Sequence, residues 1–410
     1  MTKTRLKKYA ALIAKVGANV KKGQYVLINA ELDQPEFIEM LVAECYKAGA
    51  KKVMVEWMHQ PLTALNVRYC SSKALAEMED WQLAKWEWQA DVLPCKIYIT
   101  SEDPDGLKGV NQKKFSEANA KRSKMIKPIR NKMENKYQWC IAAVPGKKWA
   151  KKVFPGERTS VAVEKLWEAI LEASRVTEDP IAEWDKHNKS LAKRCEYLNS
   201  LGIKKLHYES KNGTDLTVGM IPEALFCAGG EFVMGKDIYY NPNIPTEEAF
   251  TSPKRGEADG IVYSSMPLSY GGQLITDFWF KFENGKIVDM GAKENEAMLR
   301  EMVAMDEGAA YLGECALVPY SSPIRKSGIL FYNTLFDENA ACHLAIGRGF
   351  TGVLRDYEKY SEEEAHNIGI NDSIIHVDFM IGTDDLSIEA ICENGKTVKI
   401  FKNGEWAFEI

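Results

Sequence analysis

Four Asn-Gly pairs in the second half of the chain constrain its fold more than any other feature. They lie at residues 212–213, 284–285, 394–395 and 403–404, each between alternating or apolar runs. A type I′ turn needs two residues at positive φ, so such a pair between strands predicts a β-hairpin. We therefore expect antiparallel hairpins, with one long helix at residues 294–305 among them. The predicted hairpins span residues 206–218, 278–290 and 386–408.

The first half instead alternates helical and strand-like segments. An amphipathic helix is predicted at residues 6–16, and a second helix is expected to begin with Asp33 as its N-cap and Pro35 in its first turn, and to end at Gly49. Buried strands are predicted at residues 25–29, 52–57, 96–100 and 137–144. This βαβ succession predicts a doubly wound, mainly parallel sheet.

A long helix is predicted to connect the two halves. Asp179 and Pro180 provide an N-cap and a first helical position, and Gly202 is expected to end the helix. A chain of 410 residues is long for one core. We therefore expect an N-terminal α/β domain over residues 1–200 and a C-terminal α+β domain with antiparallel hairpins over residues 201–410.

Several classes of function are disfavoured by the sequence. The first βα turn, residues 30–34, has no glycine, so a dinucleotide-binding fingerprint is absent. A net charge of -5 argues against a nucleic-acid or anionic-membrane partner. The ten Lys and Arg residues between 108 and 136 are accompanied by a single aromatic residue, Phe115, and not by a series of stacking partners, which favours a solvated helix face or a subunit-facing edge over RNA binding.

The sequence also indicates a compartment. Residues 1–22 lack the apolar core of a signal peptide, and no apolar run approaches the roughly 20 residues that span a bilayer. The nine cysteines are spread without a CxxC pair and most lie in apolar segments. We therefore expect a cytoplasmic protein with reduced thiols.

The run at residues 374–381 places a histidine and an aspartate side by side. On a strand, Val377 and Phe379 share one apolar face with their neighbours, so His376 and Asp378 point together to the other. An imidazole nitrogen and a carboxylate oxygen at this spacing are a good pair of metal ligands. A His–Asp hydrogen bond with a purely structural purpose is the alternative.

A second polar cluster lies at residues 331–343, where Asp337, Glu338 and His343 interrupt an otherwise apolar segment. Carboxylates and imidazoles are seldom buried without a partner, and a cation is one common partner. Glu338 and His343 would lie about 140° apart on a continuous helix, so they converge only if the segment turns.

Two further acids lie upstream in apolar surroundings. Glu314 opens an apolar strand, where an acid is usually solvated unless it lines a site. Glu247 and Glu248 are adjacent, and only one of them can face a pocket if the segment is extended. We expect these scattered groups to close around one metal site in the C-terminal half.

Four runs in this half resemble the M29 family of metalloaminopeptidases, in the same order and spacing. They are Asn-Ile-Pro-Thr-Glu-Glu at 243–248, Gly-Glu-Cys-Ala-Leu-Val-Pro at 313–319, the segment 331–343, and His-Val-Asp-Phe-Met-Ile-Gly at 376–382. The resemblance implies a cytoplasmic homodimer that acts on peptides with a free N-terminus. It also implies two divalent metal ions in the C-terminal domain, cobalt, zinc or manganese, with the N-terminal domain helping to enclose them.

The resemblance further implies a set of site residues. The metal ligands fall on Glu248, Glu314, His343, His376 and Asp378, with Glu338 close by as a ligand or as the acid/base. Paired metals can be bridged by a carboxylate, here Glu314 or Asp378, and can generate a metal-bound hydroxide. Glu338 would then pass the proton to the leaving amine, so Glu314 and Glu338 are the predicted catalytic residues of an aminopeptidase.

One position departs from the family pattern. Seven residues after its histidine the family usually has a tyrosine, where this chain has Phe350. Loss of an oxyanion-stabilising hydroxyl could lower turnover on the order of 10²–10³-fold. A weakly active or non-catalytic metal-binding homologue is therefore one alternative. Another is a mononuclear iron ring-opening dioxygenase, a class that commonly uses two histidines and one carboxylate.

Overall fold

The structure, a computed structural model, describes residues 1–410 and divides into two compact units. The N-terminal unit comprises Met1–Asp185 and Gly230–Pro245, and the C-terminal unit comprises Lys186–Gly229 and Thr246–Ile410. The expected domain division at residue 200 stays a prediction.

The N-terminal unit is built on a four-stranded parallel sheet in the order β2-β1-β3-β4. Its strands are β1 Tyr25–Glu31, β2 Lys52–Met58, β3 Cys95–Thr100 and β4 Trp139–Ala143. Its helices are α1 Lys3–Leu12, α2 Pro35–Lys47, α3 Gln60–Tyr69, α4 Ser72–Ala76, α5 Asp80–Val92, α6 Gln112–Met133, α7 Lys147–Val153 and α8 Thr159–Ala173. The predicted α/β architecture with a parallel sheet is confirmed.

Local details of this unit differ from the sequence-based expectation at the start of α2. Asp33 is not its N-cap: that position is Gln34, and no side chain caps the helix. The Asp33 carboxylate instead accepts a hydrogen bond from the Ser101 hydroxyl at 2.9 Å. The hydrogen bond from Ser101, just after β3, therefore competes with capping of α2 for the Asp33 carboxylate, and the prediction of Asp33 as the N-cap is wrong.

The basic segment at residues 108–136 contains the long helix α6, in which only Ala118, Ile129 and Met133 are buried.

The helix that follows α8 in the sequence is α9, Pro180–Ser200. The Asp179 carboxylate accepts a hydrogen bond from the Ala182 amide at 3.2 Å, which confirms the predicted cap.

The strands that follow α9 are short and mostly antiparallel. They are β5 Ile203–Glu209, β6 Asp215–Met220, β7 Cys227–Ala228, β8 Glu231–Phe232, β9 Tyr239–Tyr240, β10 Ala249–Thr251, β11 Pro253–Tyr263, β12 Leu268–Tyr270, β13 Gln273–Ile275, β14 Trp279–Glu283, β15 Lys286–Gly291, β16 Leu312–Leu317, β17 His343–Gly347, β18 His376–Met380, β19 Ser387–Cys392, β20 Thr397–Lys402 and β21 Glu405–Trp406. The helices are α10 Glu296–Val303, α11 Pro323–Lys326, α12 Thr334–Asp337 and α13 Glu362–Ile368. Of these elements, β8 and β9 belong to the N-terminal unit.

The three predicted hairpin regions are confirmed by the pairs β5–β6 and β14–β15 and by the meander β19–β20–β21. Only two of the four Asn-Gly pairs have the backbone conformation of a type I′ turn. Both residues have positive φ at Asn284-Gly285 and at Asn403-Gly404, but only the glycine does in the other two pairs. There, the Asn212 and Asn394 side chains accept hydrogen bonds from backbone amides two residues on, which stabilises an Asx turn instead.

Two large antiparallel sheets form most of the C-terminal unit, and β12 and β13 form a separate two-stranded antiparallel sheet. One of the large sheets has eight strands in the order β15-β14-β11-β6-β5-β19-β20-β21, and the other has five in the order β18-β17-β16-β10-β7. Phe379 of the five-stranded sheet lies 5.1 Å from Phe280 of the eight-stranded sheet, measured between ring centroids. The sheets thus pack face to face over a shared apolar core. The second face of the five-stranded sheet is left to carry polar groups.

Candidate metal centre

A row of residues across three strands of the five-stranded sheet defines the site. Glu314 on β16 lies opposite Ala345 on β17, and Ala345 lies opposite Asp378 on β18. Residues directly opposite one another in a sheet project to the same face. The two carboxylates therefore flank the single methyl group of Ala345, which leaves room between them.

The two histidines reach the same face by the same alternation. His343 lies two residues before Ala345, and His376 lies two residues before Asp378. The opposite face at these strands carries Cys315, Leu344 and Phe379, all buried in the apolar core. The prediction that His376 and Asp378 share a face opposite the core is confirmed.

Glu314 does not lie at a strand end, as the sequence had suggested. It is the third residue of β16, in which every residue is buried. An acid at the centre of an apolar strand must find its partners on that strand's polar face. Cross-strand neighbours on that face, which no local pattern reveals, supply them.

Glu248 completes the site from the neighbouring strand. It immediately precedes β10, which pairs with β16, and its Oε2 lies 3.2 Å from Nε2 of His343. Glu247 is also buried, but it joins neither of the ligand groups described next.

The candidate ligand atoms form two groups that share one residue. Glu248, Glu314 and His343 form the His343 group, and Glu314, His376 and Asp378 form the His376 group. Within each group the ligand atoms lie within 4.8 Å of one another. Nε2 of His376 lies 3.1 Å from both Glu314 Oε2 and Asp378 Oδ1. Glu314 is therefore placed where a bridging carboxylate would lie.

The orientation of the imidazoles tests whether a cation fits. Nδ1 of His376 lies 2.7 Å from the backbone carbonyl oxygen of Arg348, and Nδ1 of His343 lies 3.2 Å from that of Ala341. A carbonyl oxygen only accepts hydrogen bonds, so each Nδ1 carries a hydrogen and a neutral ring presents the lone pair of Nε2 to the carboxylates. That arrangement is repulsive unless a positive charge lies at Nε2.

Protons on the two imidazoles do not balance the charge of the site. Three carboxylates, those of Glu248, Glu314 and Asp378, face two rings. Asp378 Oδ1 is buried and meets no donor with hydrogen-bonding geometry, although His376 Nε2 is nearby. A set of buried nitrogen and oxygen donors with this excess of negative charge fits divalent metal ions.

The pKa shifts reflect the same crowding. Burial, together with the neighbouring negative charges of Glu248 and Asp378, raises the pKa of Glu314 to about 7. The hydrogen bond from His376 acts in the opposite direction and lowers this pKa. Burial alone would lower the pKa of His343, but the hydrogen bond and charge of Glu248 raise it to about 10. The carboxylates therefore favour a cation at the imidazole nitrogens.

Glu338 lies close to both groups but belongs to neither. The chain turns after α12 through a 3₁₀ turn at Glu338–Ala340 and enters β17 at His343, which is the turn that convergence required. Burial raises the pKa of Glu338 well above its usual range, and the charges of Asp378 and Glu248 raise it further. A carboxyl group in this setting suits proton transfer.

Two further buried side chains hold the backbone around the site: Asp337, which the sequence placed in the polar cluster without a role, and Asn339, which sequence reasoning missed. Asp337 accepts hydrogen bonds from the amides of Phe331 and Asn333 at 2.8 and 3.0 Å. Asn339, fully buried, accepts one from the Glu247 amide, which lies 92 residues away in the sequence. No local sequence signal indicates so distant a contact.

Phe350 lies beside the His376 group and is 39% exposed. Its ring centroid lies 4.8 Å from that of His376 and 5.8 Å from that of Phe250. Tyr357 and Tyr360 pack with Phe250 against a small separate apolar cluster. The residue that departs from the family pattern therefore borders the candidate metal centre.

Comparison with known proteins gives one consistent result. A family profile described as Thermophilic metalloprotease (M29) matches residues 2–406. Aminopeptidase AmpS of Bacillus subtilis (strain 168) is 42% identical over 406 residues, which cover 98% of each chain. The structure of wild-type AmpT from Thermus thermophilus matches with a TM-score of 0.90 and 34% identity, over 99% of this chain and 100% of that one.

A more distant structure shares the fold alone. The 2,5-dihydroxypyridine dioxygenase from Pseudomonas putida KT2440 matches with a TM-score of 0.51 and 13% identity, over 99% of this chain and 97% of that one. At this identity the likeness carries no inference about chemistry.

Proposed function

The chain belongs to the M29 family of thermophilic metalloproteases, and on that premise we propose that it is a metal-dependent aminopeptidase that releases single residues from peptide N-termini. The observation that carries the proposal is the pair of ligand groups joined by Glu314. A relative named an aminopeptidase, similar over nearly its whole length, supports the same activity.

We assign two divalent metal ions, cobalt, zinc or manganese, to the two ligand groups. Glu248 and His343 would hold one ion, His376 and Asp378 the other, and Glu314 both. When bound, such ions supply an activated water and polarise the scissile carbonyl. The backbone carbonyls of Ala341 and Arg348 fix the rotation of the two imidazoles, so each ring keeps Nε2 aimed at the site.

The remaining work falls to carboxylates of the chain. Glu338 would accept the proton of the attacking water at its carboxylate and deliver it to the nitrogen of the departing peptide. One of the two proposed ions, when bound, could hold the free α-amine of a substrate through the lone pair of its nitrogen. An acetylated N-terminus is an amide without a basic lone pair, so we expect the enzyme to act as an exopeptidase.

The test is hydrolysis of a panel of aminoacyl-p-nitroanilides after EDTA treatment, with Co²⁺, Zn²⁺ or Mn²⁺ returned one at a time. We expect restored cleavage of free-amine substrates, while N-acetylated controls stay intact. No cleavage with any metal would favour the non-catalytic alternative. Oxygen-dependent ring opening of a dihydroxypyridine with Fe²⁺ would instead favour the dioxygenase.

We also propose that the protein is a cytoplasmic homodimer. All nine cysteines are free thiols, which suits a reducing compartment. None of the helices has the length and apolar character that a bilayer crossing requires. Leu62, Leu65 and Tyr69 form an exposed apolar stripe on α3, of a kind that often marks a protein interface. Light scattering should give twice the chain mass of 46.2 kDa, and a value equal to one chain would exclude the dimer.

A further inference from the structure

The segment that brings Glu248 into the site has buried backbone but no regular structure. Thr246, Glu247 and Glu248 are all buried and lie just before β10, outside any strand. Buried backbone amides and carbonyls need hydrogen-bond partners, and here side chains must supply them. The position of Glu248 therefore depends on those side chains.

A single peptide group in this segment is held from both sides. The carbonyl oxygen of Thr246 lies 2.8 Å from Nε2 of His187 on α9, and the ring nitrogen donates because a carbonyl can only accept. The amide of Glu247, the other half of the same peptide group, donates to Oδ1 of Asn339 at 2.7 Å. This clamp fixes the backbone immediately before Glu248.

Asn339 also contacts the second element of the site. Its Nδ2 donates to the carbonyl oxygen of Leu335 at 3.0 Å and to Oε1 of Glu338 at 3.3 Å. The fully buried side-chain amide of Asn339 thus accepts a hydrogen bond from the segment that carries Glu248 and donates one to the carboxylate of Glu338.

We propose that Asn339 is a positioning residue that holds the metal-binding segment at Glu248 and the Glu338 carboxylate at a fixed separation. The inference rests on the proposed function, in which Glu248 binds metal and Glu338 carries the proton. Only a side chain with an acceptor on one side and a donor on the other can make both contacts. Asparagine meets that requirement, whereas aspartate keeps the acceptor and loses the donor.

The two contacts can be separated by substitution. Asn339→Asp keeps an acceptor for the Glu247 amide but places a carboxylate against Glu338. We expect its metal dissociation constant to stay within about threefold, while kcat falls about 10–100-fold with little change in KM, as is typical for loss of a group that orients a metal site. Asn339→Ala loses both contacts, so we expect kcat to fall and the metal dissociation constant to rise, each on the order of tenfold or more.

Asn199→Ala is the matched control. Asn199 also clamps backbone with both amide atoms, accepting from the Phe226 amide at 2.8 Å and donating to the Phe226 carbonyl at 3.0 Å, but it contacts no residue of the centre. Its loss should lower the melting temperature and leave kcat and metal affinity unchanged.

The measurements are kcat and KM on Leu-p-nitroanilide at saturating Co²⁺, Co²⁺ affinity by competition with a chromophoric chelator, and the melting temperature. The proposal would be overturned if Asn339→Asp kept the wild-type kcat. It would also be overturned if Asn339→Ala and Asn199→Ala changed kcat, Co²⁺ affinity and melting temperature in the same way. If Asn339→Ala fails to fold, Asn339→Asp still decides. If the wild type cleaves no peptide, the proposed function fails, but the chelator titration of the two alanine variants still tests Asn339.

Discussion

The two ligand groups share Glu314 yet differ in their access to solvent. In the His343 group the histidine side chain is 1% exposed, whereas in the His376 group it is 24% exposed. The cause lies in the sheet order, because β17 is an interior strand and β18 is an edge strand. The sealed group is suited to hold a metal permanently, and the open group lies where a substrate must approach.

Substituting the shared residue should have the largest effect, because it breaks both groups at once. We expect Glu314→Ala to lower kcat/KM by about 10³-fold or more, since neither of the two proposed metal ions would keep its full ligand set. Bound metal measured by plasma mass spectrometry should fall together with activity. Full metal content with normal turnover would show that Glu314 does not join the groups.

Substitution of each histidine in turn should destabilise the metal-free protein to a different extent in the two groups. Removing His343 leaves Glu248 buried without its partner, so we expect His343→Ala to destabilise the metal-free protein by about 3 kcal/mol. At the edge strand, His376→Ala should cost less, about 1–2 kcal/mol, because the ring position is 24% exposed and water can reach the Glu314 and Asp378 carboxylates that the ring leaves behind. Chemical denaturation after EDTA treatment measures both, and equal losses would contradict the contrast between sealed and open groups.

Adjacent glutamates test which carboxylate belongs to the sealed group. We expect Glu248→Gln to weaken binding of one metal equivalent by about 10–100-fold, because an amide oxygen is a poorer ligand than a carboxylate. Glu247→Gln is the matched change one residue earlier and should leave metal affinity near the wild-type value. The reverse pattern in a chelator competition would reassign the ligand.

Restoring a hydroxyl beside the open group should have the smallest effect. Phe350→Tyr adds one hydrogen-bond donor near His376, and we expect kcat to rise about tenfold if the hydroxyl reaches the developing oxyanion. Metal affinity should not change, because no ligand is altered. Phe232→Tyr, the same change at an exposed position of the N-terminal unit, should have no effect. An unchanged kcat in Phe350→Tyr would show that phenylalanine in place of the family's tyrosine does not limit turnover.

Much of the fold follows from local sequence patterns. Alternating segments predicted the parallel sheet, and the Asn-Gly pairs predicted the hairpins, because turn chemistry and side-chain periodicity act over a few residues. The shared face of His376 and Asp378 followed from the same periodicity. The Asp33 cap failed because a distant partner, Ser101, competes for the carboxylate.

The assembly of the site could not be read in the same way. Periodicity places Glu314 on a strand, but the row Glu314–Ala345–Asp378 depends on the register of three strands far apart in the chain. The contact of Asn339 with Glu247 is equally remote in sequence. Family resemblance supplied the set of acids, and the structure shows which cross-strand pairings bring them together.

Position 345 is where the needs of folding and of chemistry conflict. An interior strand favours valine or isoleucine, whose branched side chains pack well on a pleated surface. Ala345 instead presents only a methyl group between Glu314 and Asp378. A bulkier residue would suit the strand while filling the space that the carboxylates share, so selection for stability alone would drive this sequence away from catalysis.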